Sequence, residues 1–495
     1  MDQDTLTEIW HRAAGTGATL LEVPGGPRLT YRDAERGSAR VANALRHLGI
    51  TPGERVGAQI DKSPMSVLLY LACLRSGAVL VPINPACTDA EVAYLVDDAR
   101  PRLLVTDPDR LLHRSGMATL SADATGAGTL ADAADAEADS FDDLRPQATD
   151  MAAILYTSGT TGRPKGAMLT QGNLASNARS LQQAWGFTSD DILLHALPMF
   201  HAHGLFVATN CVLASASTMI YLPRFEVDAV IEHLPRATVL MGVPTFYTRL
   251  LAATRLDRER CRTVRLFVSG SAPLPAATHE AWQERTGHAI LERYGLTETL
   301  MLTSNPLDGE RRAGSVGPPL PGVSLRLADR DSRMEAPRGG IGEIEVRGPS
   351  VFAGYWGEPE LTARELSPDG WFRTGDLGRL GPGGYLDIVG RAKDLVISGG
   401  LNVYPKEVED AIDRVDGVVE SAVVGAPDHD FGERVVAVVV LQPGAHLDEP
   451  ALRARLRQDL AAYKVPKEVL FVDQLPRNAM GKVEKAVLRR RLAPG

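Results

Sequence analysis

The sequence predicts an α/β protein: a large N-terminal domain of layered α/β sheets followed by a small C-terminal α+β domain. Two observations carry this. Short β-branched runs alternate with longer helical patterns through most of the chain, the signature of parallel strands covered by helices. After "GYLDIVGRAKDLVISGG" the texture changes to long strand patterns beside two short helical ones.

Taken in order, "RVGAQI" reads as a strand, and "SPMSVLLYLACLRSGAVLVPI" as a helix, a turn at Gly77 and a second strand. Arg75, Ser76 and Gly77 interrupt that segment, so it is not a membrane span. "RLLVTD", "AAILYTS", "STMIYL", "ATVLMGVP" and "RLFVSGS" supply further buried strands. From Ser121 to Asp143 the chain thins to Ala, Asp, Gly, Thr and Ser, which predicts a surface connection. In the C-terminal part, "ESAVVGAPD" and "RVVAVVVLQPG" read as strands beside the helices "YPKEVEDAIDRV" and "EPALRARLRQDLAAY". The expected division is 1–390 and 391–495.

Composition narrows the function. The 495 residues are 44% hydrophobic and 23% charged, ordinary for a globular enzyme, and the net charge of -9 argues against a nucleic-acid binder. The brief basic run "LRRRL" near the end reads as a solvated helix face. Cys73, Cys87, Cys211 and Cys261 lie far apart, without disulfide-dense or zinc-like spacing, so a reducing, cytoplasmic setting is expected. No basic stretch followed by an apolar run suggests secretion.

The stretch "YTSGTTGRPKG", Tyr156 to Gly166, begins where a buried strand ends. Glycines there let backbone N–H groups approach an anion, the hydroxyls add donors, and Lys165 adds a mobile charge, so a polyphosphate is the natural guest. Gly166 follows Lys165 where a Walker A loop needs Ser or Thr, which sets aside a P-loop NTPase.

With "ERYGLTET", "FRTGDLG", "GRAKDLVISGGLNVYPKEVE" and "PRNAMGK" following in order, the whole chain resembles the acyl-adenylate-forming superfamily of acyl-CoA synthetases, luciferases and adenylation domains. The resemblance implies a β subdomain in the large domain and a two-step reaction using ATP, Mg²⁺ and CoA. It implies nucleotide contacts from Thr157, Ser158, Gly159, Thr160, Thr161, Gly162, Arg163, Pro164 and Lys165, with Ser271, Tyr294 on adenine, Thr297, Asp376 on the ribose, and Arg391. Glu298 would serve Mg²⁺, and Lys482 would stabilise charge on the transferring phosphoryl group. A hinge at Lys393 would carry Ser398, Gly399 and Gly400 into the CoA path for the second step.

For the acid, the chain looks most like malonyl-CoA synthetases. The pocket residues implied are Arg293, His201 (also a catalytic candidate), Ala202, His203, Met241, Ser269 and Met301. Arg293 is an odd lining for a fatty or aromatic acid, whereas a second carboxylate on the substrate could pair with it bidentately; the alternative is an internal acid, Glu292 or Glu280. Two positions depart from some malonyl-CoA synthetases, Ala202 where Thr occurs and Leu302 where Asn occurs, which raises methylmalonate or larger 2-alkylmalonates as substrates. The main rival is a short- or medium-chain acyl-CoA synthetase. An idle nucleotide-binding scaffold would be expected to have lost Lys482, Glu298 or the glycine loop, and a light-emitting enzyme would need an aromatic pocket.

Overall fold

The structure, a computed structural model, describes residues 5–157, 163–329, 334–337, 339–477 and 482–492. Two sheets form the body of the large domain. The first has five parallel strands, with Arg55–Gln59 at its centre, and ends in an antiparallel hairpin of Met151–Thr157 and Lys165–Thr170. The second, of eight strands, is parallel except at its two edges.

Their faces are apolar on both sides, as parallel strands under helices require. The helix Pro64–Ser76 sits in this core with residues 69 to 76 all buried, and it stops at Gly77, whose φ of 67° is the left-handed turn that glycine adopts without penalty. Its one buried charge, Arg75, is neutralised by Asp143 at 2.7 Å and also donates to the Glu35 carbonyl and the Ser38 hydroxyl.

Asp143 closes the stretch expected to be a surface connection, and there the structure differs. Thr129–Asp135 is a helix that packs on Tyr31–His47, with Leu130 fully buried, and Asn43 donates to the carbonyls of Ala138 and Ser140. Small side chains let the segment approach the neighbouring helix closely, so a single leucine anchors it.

A four-stranded antiparallel sheet, Ser324–Ala328, Ile341–Arg347, Phe372–Leu380 and Leu386–Arg391, is the β subdomain. The last five strands form the sheet of the small domain. Along Gly432–Leu441, Val435, Ala437 and Val439 face the helices Pro405–Asp413 and Glu449–Asp459, while Val436, Val438 and Val440 face the terminal helix Lys485–Leu492. The "LRRRL" run lies on that terminal helix. Arg490 and Arg491 are solvated, but Arg489 pairs with Asp394 at 2.7 Å. Among the described residues, no helix is long and apolar enough to cross a membrane.

Burial raises the Asp413 carboxyl to about 7, with Glu409 and Asp410 adding to the rise while the Ser421 hydroxyl and Lys406 oppose it. A carboxyl that holds its proton more tightly when folded stabilises the fold below its folded pKa. That contribution is lost as pH rises from the ordinary carboxylate range through about 7. Asp413→Asn is therefore expected to flatten the fall of the unfolding midpoint between pH 5 and 8 (roughly the window this shift opens). A difference from wild type that stays constant across that window would contradict it.

Candidate active site

In the eight-stranded sheet the strand Ile192–His195 lies between Thr218–Tyr221 and Val239–Gly242, so successive connections leave it in opposite directions. A crevice opens where such connections diverge, beyond the carboxyl ends of the strands. It holds a cavity of about 370 Å³, lined by Leu197, Pro198, His201, His203 and Gly204 after one strand and Val243, Thr245, Phe246, Thr248 and Arg249 after the other, with Arg477 of the small domain also on its wall.

Local backbone geometry sets these side chains. His203–Ala208 is a π-helical turn, a rare winding that redirects side chains at functional sites. Gly204 is required there, since a Cβ would come within 2.0 Å of the Pro198 carbonyl oxygen. Burial holds His201 down to about 4 and His203 well below its ordinary value, the latter helped by the nearby Arg293 charge, so both are neutral. Their Nε2 atoms are buried without a hydrogen-bond partner among the described residues. Ser271 sits at φ 71° just after the strand Leu266–Ser269, its Oγ 3.4 Å from His203 Nδ1. Such strain in a non-glycine residue clusters at functional sites.

Arg293 lies behind this group on Leu291–Leu296, only 3% exposed. Its guanidinium rests on the backbone of Gly270, where a Cβ would meet Cζ at 2.3 Å. Burial lowers it to about 9, which leaves it charged at neutral pH, yet Nε and Nη2 have no partner among the described residues. Neither internal acid reaches it. Glu292, next along the strand, points to the opposite face, where it accepts from the Gly314 N–H at 3.2 Å and lies 3.8 Å from His279 Nδ1. Glu280 is exposed on the helix Ala276–Thr286.

Tyr294, one residue on, faces the β subdomain. Its hydroxyl donates to Asp376 at 2.6 Å, and Arg391 Nε meets the other carboxylate oxygen at 2.7 Å. Lys482 is within electrostatic reach of Asp376, Arg391, Lys393 and Asp394. Although the residue is exposed overall, desolvation of its ammonium lowers its pKa, and Arg391 and Lys393 add to the fall against the two acids.

Between these groups, Thr297, Glu298 and Thr299 form the tight connection from Leu291–Leu296 to Leu300–Ser304, and the Glu298 carbonyl is fixed by the Phe352 N–H at 2.8 Å. Tyr355 donates to Glu298 Oε1 at 2.9 Å, and its ring lies 5.6 Å from the Lys165 ammonium. Desolvation raises the Glu298 pKa despite that hydrogen bond. Glu298 also senses Arg391 and Asp376, so the two clusters share one field.

Of the residues expected at the nucleotide, Thr157, Arg163, Pro164 and Lys165 flank the glycine loop; Ser158, Gly159, Thr160, Thr161 and Gly162 lie outside the described residues. Thr157 pairs with Lys165 at the base of the hairpin, and Tyr94 donates to the Pro164 carbonyl. Ser269 and Met241 are buried at the ends of neighbouring strands, Met301 packs over Gly295, and Ala202 is half-buried between the two histidines. Leu302 belongs to the core.

Ser398, Gly399 and Gly400 are not brought to the cavity. Gly399 and Gly400, at φ 59° and 77°, make a two-residue hairpin turn exposed beside Phe431. Lys393 is exposed in the short 3₁₀ turn Ala392–Asp394. Tyr355, Gly270, Arg249 and Arg477 had not been singled out from the sequence. Nothing in "FAGYWGEP" marks Tyr355, which reaches Glu298 because Gly354 and Trp356 bond to the hairpin strand at Met168 and Gly166.

The site thus gathers a tyrosine on an aspartate–arginine pair, the Glu298 carboxylate near Lys165, and Lys482 from the small domain, all in one electrostatic field. The chain belongs to the AMP-binding enzyme family, whose characteristic sequence matches residues 10–356, with the AMP-binding enzyme C-terminal domain matching 407–482. This is the acyl-adenylate-forming superfamily, and the chain is an AMP-forming acid–CoA ligase that uses ATP and CoA. It is 38% identical to a feruloyl-CoA synthase of Amycolatopsis over 94% of each chain. It is 34% identical to the malonate–CoA ligase of Arabidopsis thaliana over 94% of this chain and 82% of that one. ATP-bound MatB from Rhodopseudomonas palustris, 50% identical over 99% of both chains, superposes with a TM-score of 0.95, and the apo form of that protein with 0.86.

Proposed function

We propose that this ligase activates malonate, and 2-substituted malonates such as methylmalonate, as the acyl-adenylate and then transfers the acyl group to CoA. The observation that carries the reading is Arg293: a charged guanidinium, buried against Gly270, with two N–H groups unpartnered. A buried charge needs an opposite one, and a distal carboxylate would take both N–H groups at once. Its neighbour His203 is neutral and can donate its ring N–H to the same carboxylate.

The first carboxylate attacks the α-phosphorus of ATP, and pyrophosphate leaves. Thr157 to Lys165 hold the outer phosphates, Tyr294 packs on adenine with Ser271 and Thr297 nearby, and Asp376 with Arg391 takes the ribose. Lys482 stabilises charge on the transferring group. Glu298 fits a Mg²⁺ site in which phosphate oxygens complete the shell: Tyr355 occupies one of its oxygens and leaves the other, and no cluster of three or more metal-ligating side chains exists among the described residues. Bound there, the ion would neutralise phosphate charge. In the second step the CoA thiol, its proton passing to solvent, attacks the acyl carbon through sulfur; the bond from that carbon to the AMP oxygen breaks and AMP leaves. His201, neutral and with Nε2 open, accepts a hydrogen bond from the thiol.

Division at 390/391 with a hinge at Lys393 accounts for both steps. The greater likeness to ATP-bound than to apo MatB supports reading this arrangement as the adenylating one, with Ser398 to Gly400 still outside the CoA path. The four unpaired cysteines support a reducing, cytoplasmic location. Ala202, between the histidines, leaves room at the C2 carbon.

The test is pyrophosphate release and thioester formation with malonate, methylmalonate, ethylmalonate, succinate, acetate, butyrate, octanoate and ferulate. Turnover is expected for the malonates, and for acetate or butyrate about a hundredfold less, since a monocarboxylate leaves Arg293 buried and unpaired. Preference for a monocarboxylate, ferulate included, would overturn the substrate reading.

A further inference from the structure

The cavity wall carries one charged group that the reaction described above does not use. Arg249 lies on the helix Pro244–Leu251, exposed, and forms no hydrogen bond or ion pair among the described residues. The same cavity wall therefore carries two buried, unpartnered ring nitrogens, on His201 and His203, and an exposed, unpartnered cation, Arg249. Arg477 of the small domain, which is tied to Glu420, lines the cavity as well.

Geometry selects the ligand. Val243, also on the cavity wall, precedes Arg249 by six residues, about 9 Å along a helix axis. The acceptor of this ligase is a thiol at the end of an arm bearing a diphosphate. That arm has thirteen bonds between sulfur and phosphorus, about 16 Å at the roughly 1.2 Å per bond of an extended chain. With its sulfur near His201, an arm of that length is long enough to set the diphosphate at the exposed part of the wall where Arg249 stands.

We propose that Arg249 is the residue that recognises the diphosphate of CoA, and that Arg477 narrows the same cavity while the small domain is in its present position. A guanidinium suits this role because its planar fork matches phosphate oxygens. The inference rests on CoA being the acceptor. It adds a specificity element for the second half-reaction that plays no part in the first.

The experiment compares CoA, dephospho-CoA, 4′-phosphopantetheine and pantetheine as acceptors for wild type, Arg249→Ala and Arg249→Lys, with malonate-dependent ATP–pyrophosphate exchange measured alongside. Arg249→Ala is expected to raise KM about tenfold for the three phosphate-bearing acceptors, the worth of one charged contact, with Arg249→Lys recovering part of the loss. Pantetheine should be used equally by all three proteins. A loss as large with pantetheine, or a loss confined to CoA that dephospho-CoA does not show, would overturn the assignment, as would an unchanged KM for CoA. Failure of exchange in the wild type would instead strike at malonate activation itself, so the two readings fail separately.

Discussion

Lys482→Ala is expected to slow malonate-dependent ATP–pyrophosphate exchange about a thousandfold, the upper end for removing a single preorganised charge from a transition state. Thioester formation from presynthesised malonyl-adenylate and CoA should stay within a few-fold of wild type. The separation follows from where the lysine sits. It comes from the small domain and reaches a field shared by Asp376, Arg391 and Lys393, all at the junction with the β subdomain, and it is not one of the residues lining the cavity beside His201. Its lowered pKa adds a second readout. A lysine whose charge is disfavoured by desolvation and by Arg391 loses its proton at a lower pH than a free lysine, so the exchange rate should fall on the alkaline side earlier than an unperturbed ammonium would dictate. Equal losses in both half-reactions would show that Lys482 supports the fold or the domain closure instead of phosphoryl transfer.

How much of this could be read from the residues differs by element. The parallel strands were legible because each is a short apolar run ending at a glycine or a polar turn, and the small domain because the long apolar runs at Val418–Asp428 and Gly432–Leu441 stand beside two helical patterns. The helix Thr129–Asp135 was not, since its seven residues carry one large apolar side chain and owe their order to the neighbouring helix. In the site, Tyr294, Asp376, Arg391 and Lys482 stood in recognisable stretches, and the structure brings them together. Which partner each side chain takes is a long-range matter. The Asp376 carboxylate is engaged by Tyr294 and Arg391, and Tyr355 reaches Glu298 across fifty-seven positions of sequence; neither contact leaves a local signature. Alternation along a single strand decided the most consequential case. It sends Glu292 to His279 and Gly314 and leaves Arg293 facing Gly270, a choice that the adjacent letters "ER" left open.

That arrangement makes opposite predictions for function and stability. Arg293→Met is expected to lower kcat/KM for malonate by on the order of a hundredfold, because the distal carboxylate would enter an apolar pocket unpaired. Activity toward butyrate should hold or rise, so the preference between the two acids narrows or inverts. If Arg293 were a structural residue, its removal would destabilise the protein, since breaking a buried pair costs roughly 3–5 kcal/mol. But its Nε and Nη2 have no partner, and no acid neutralises it among the described residues, so without substrate the charge is an uncompensated cost. Replacing it by an apolar side chain of similar length should raise the unfolding midpoint, while malonate should stabilise the wild type and leave Arg293→Met unchanged. A stabilised variant that has lost malonate is the signature of a residue kept for its ligand at the expense of the fold. A destabilised one would mean that Arg293 serves the core, and the dicarboxylate preference would have to come from elsewhere in the pocket.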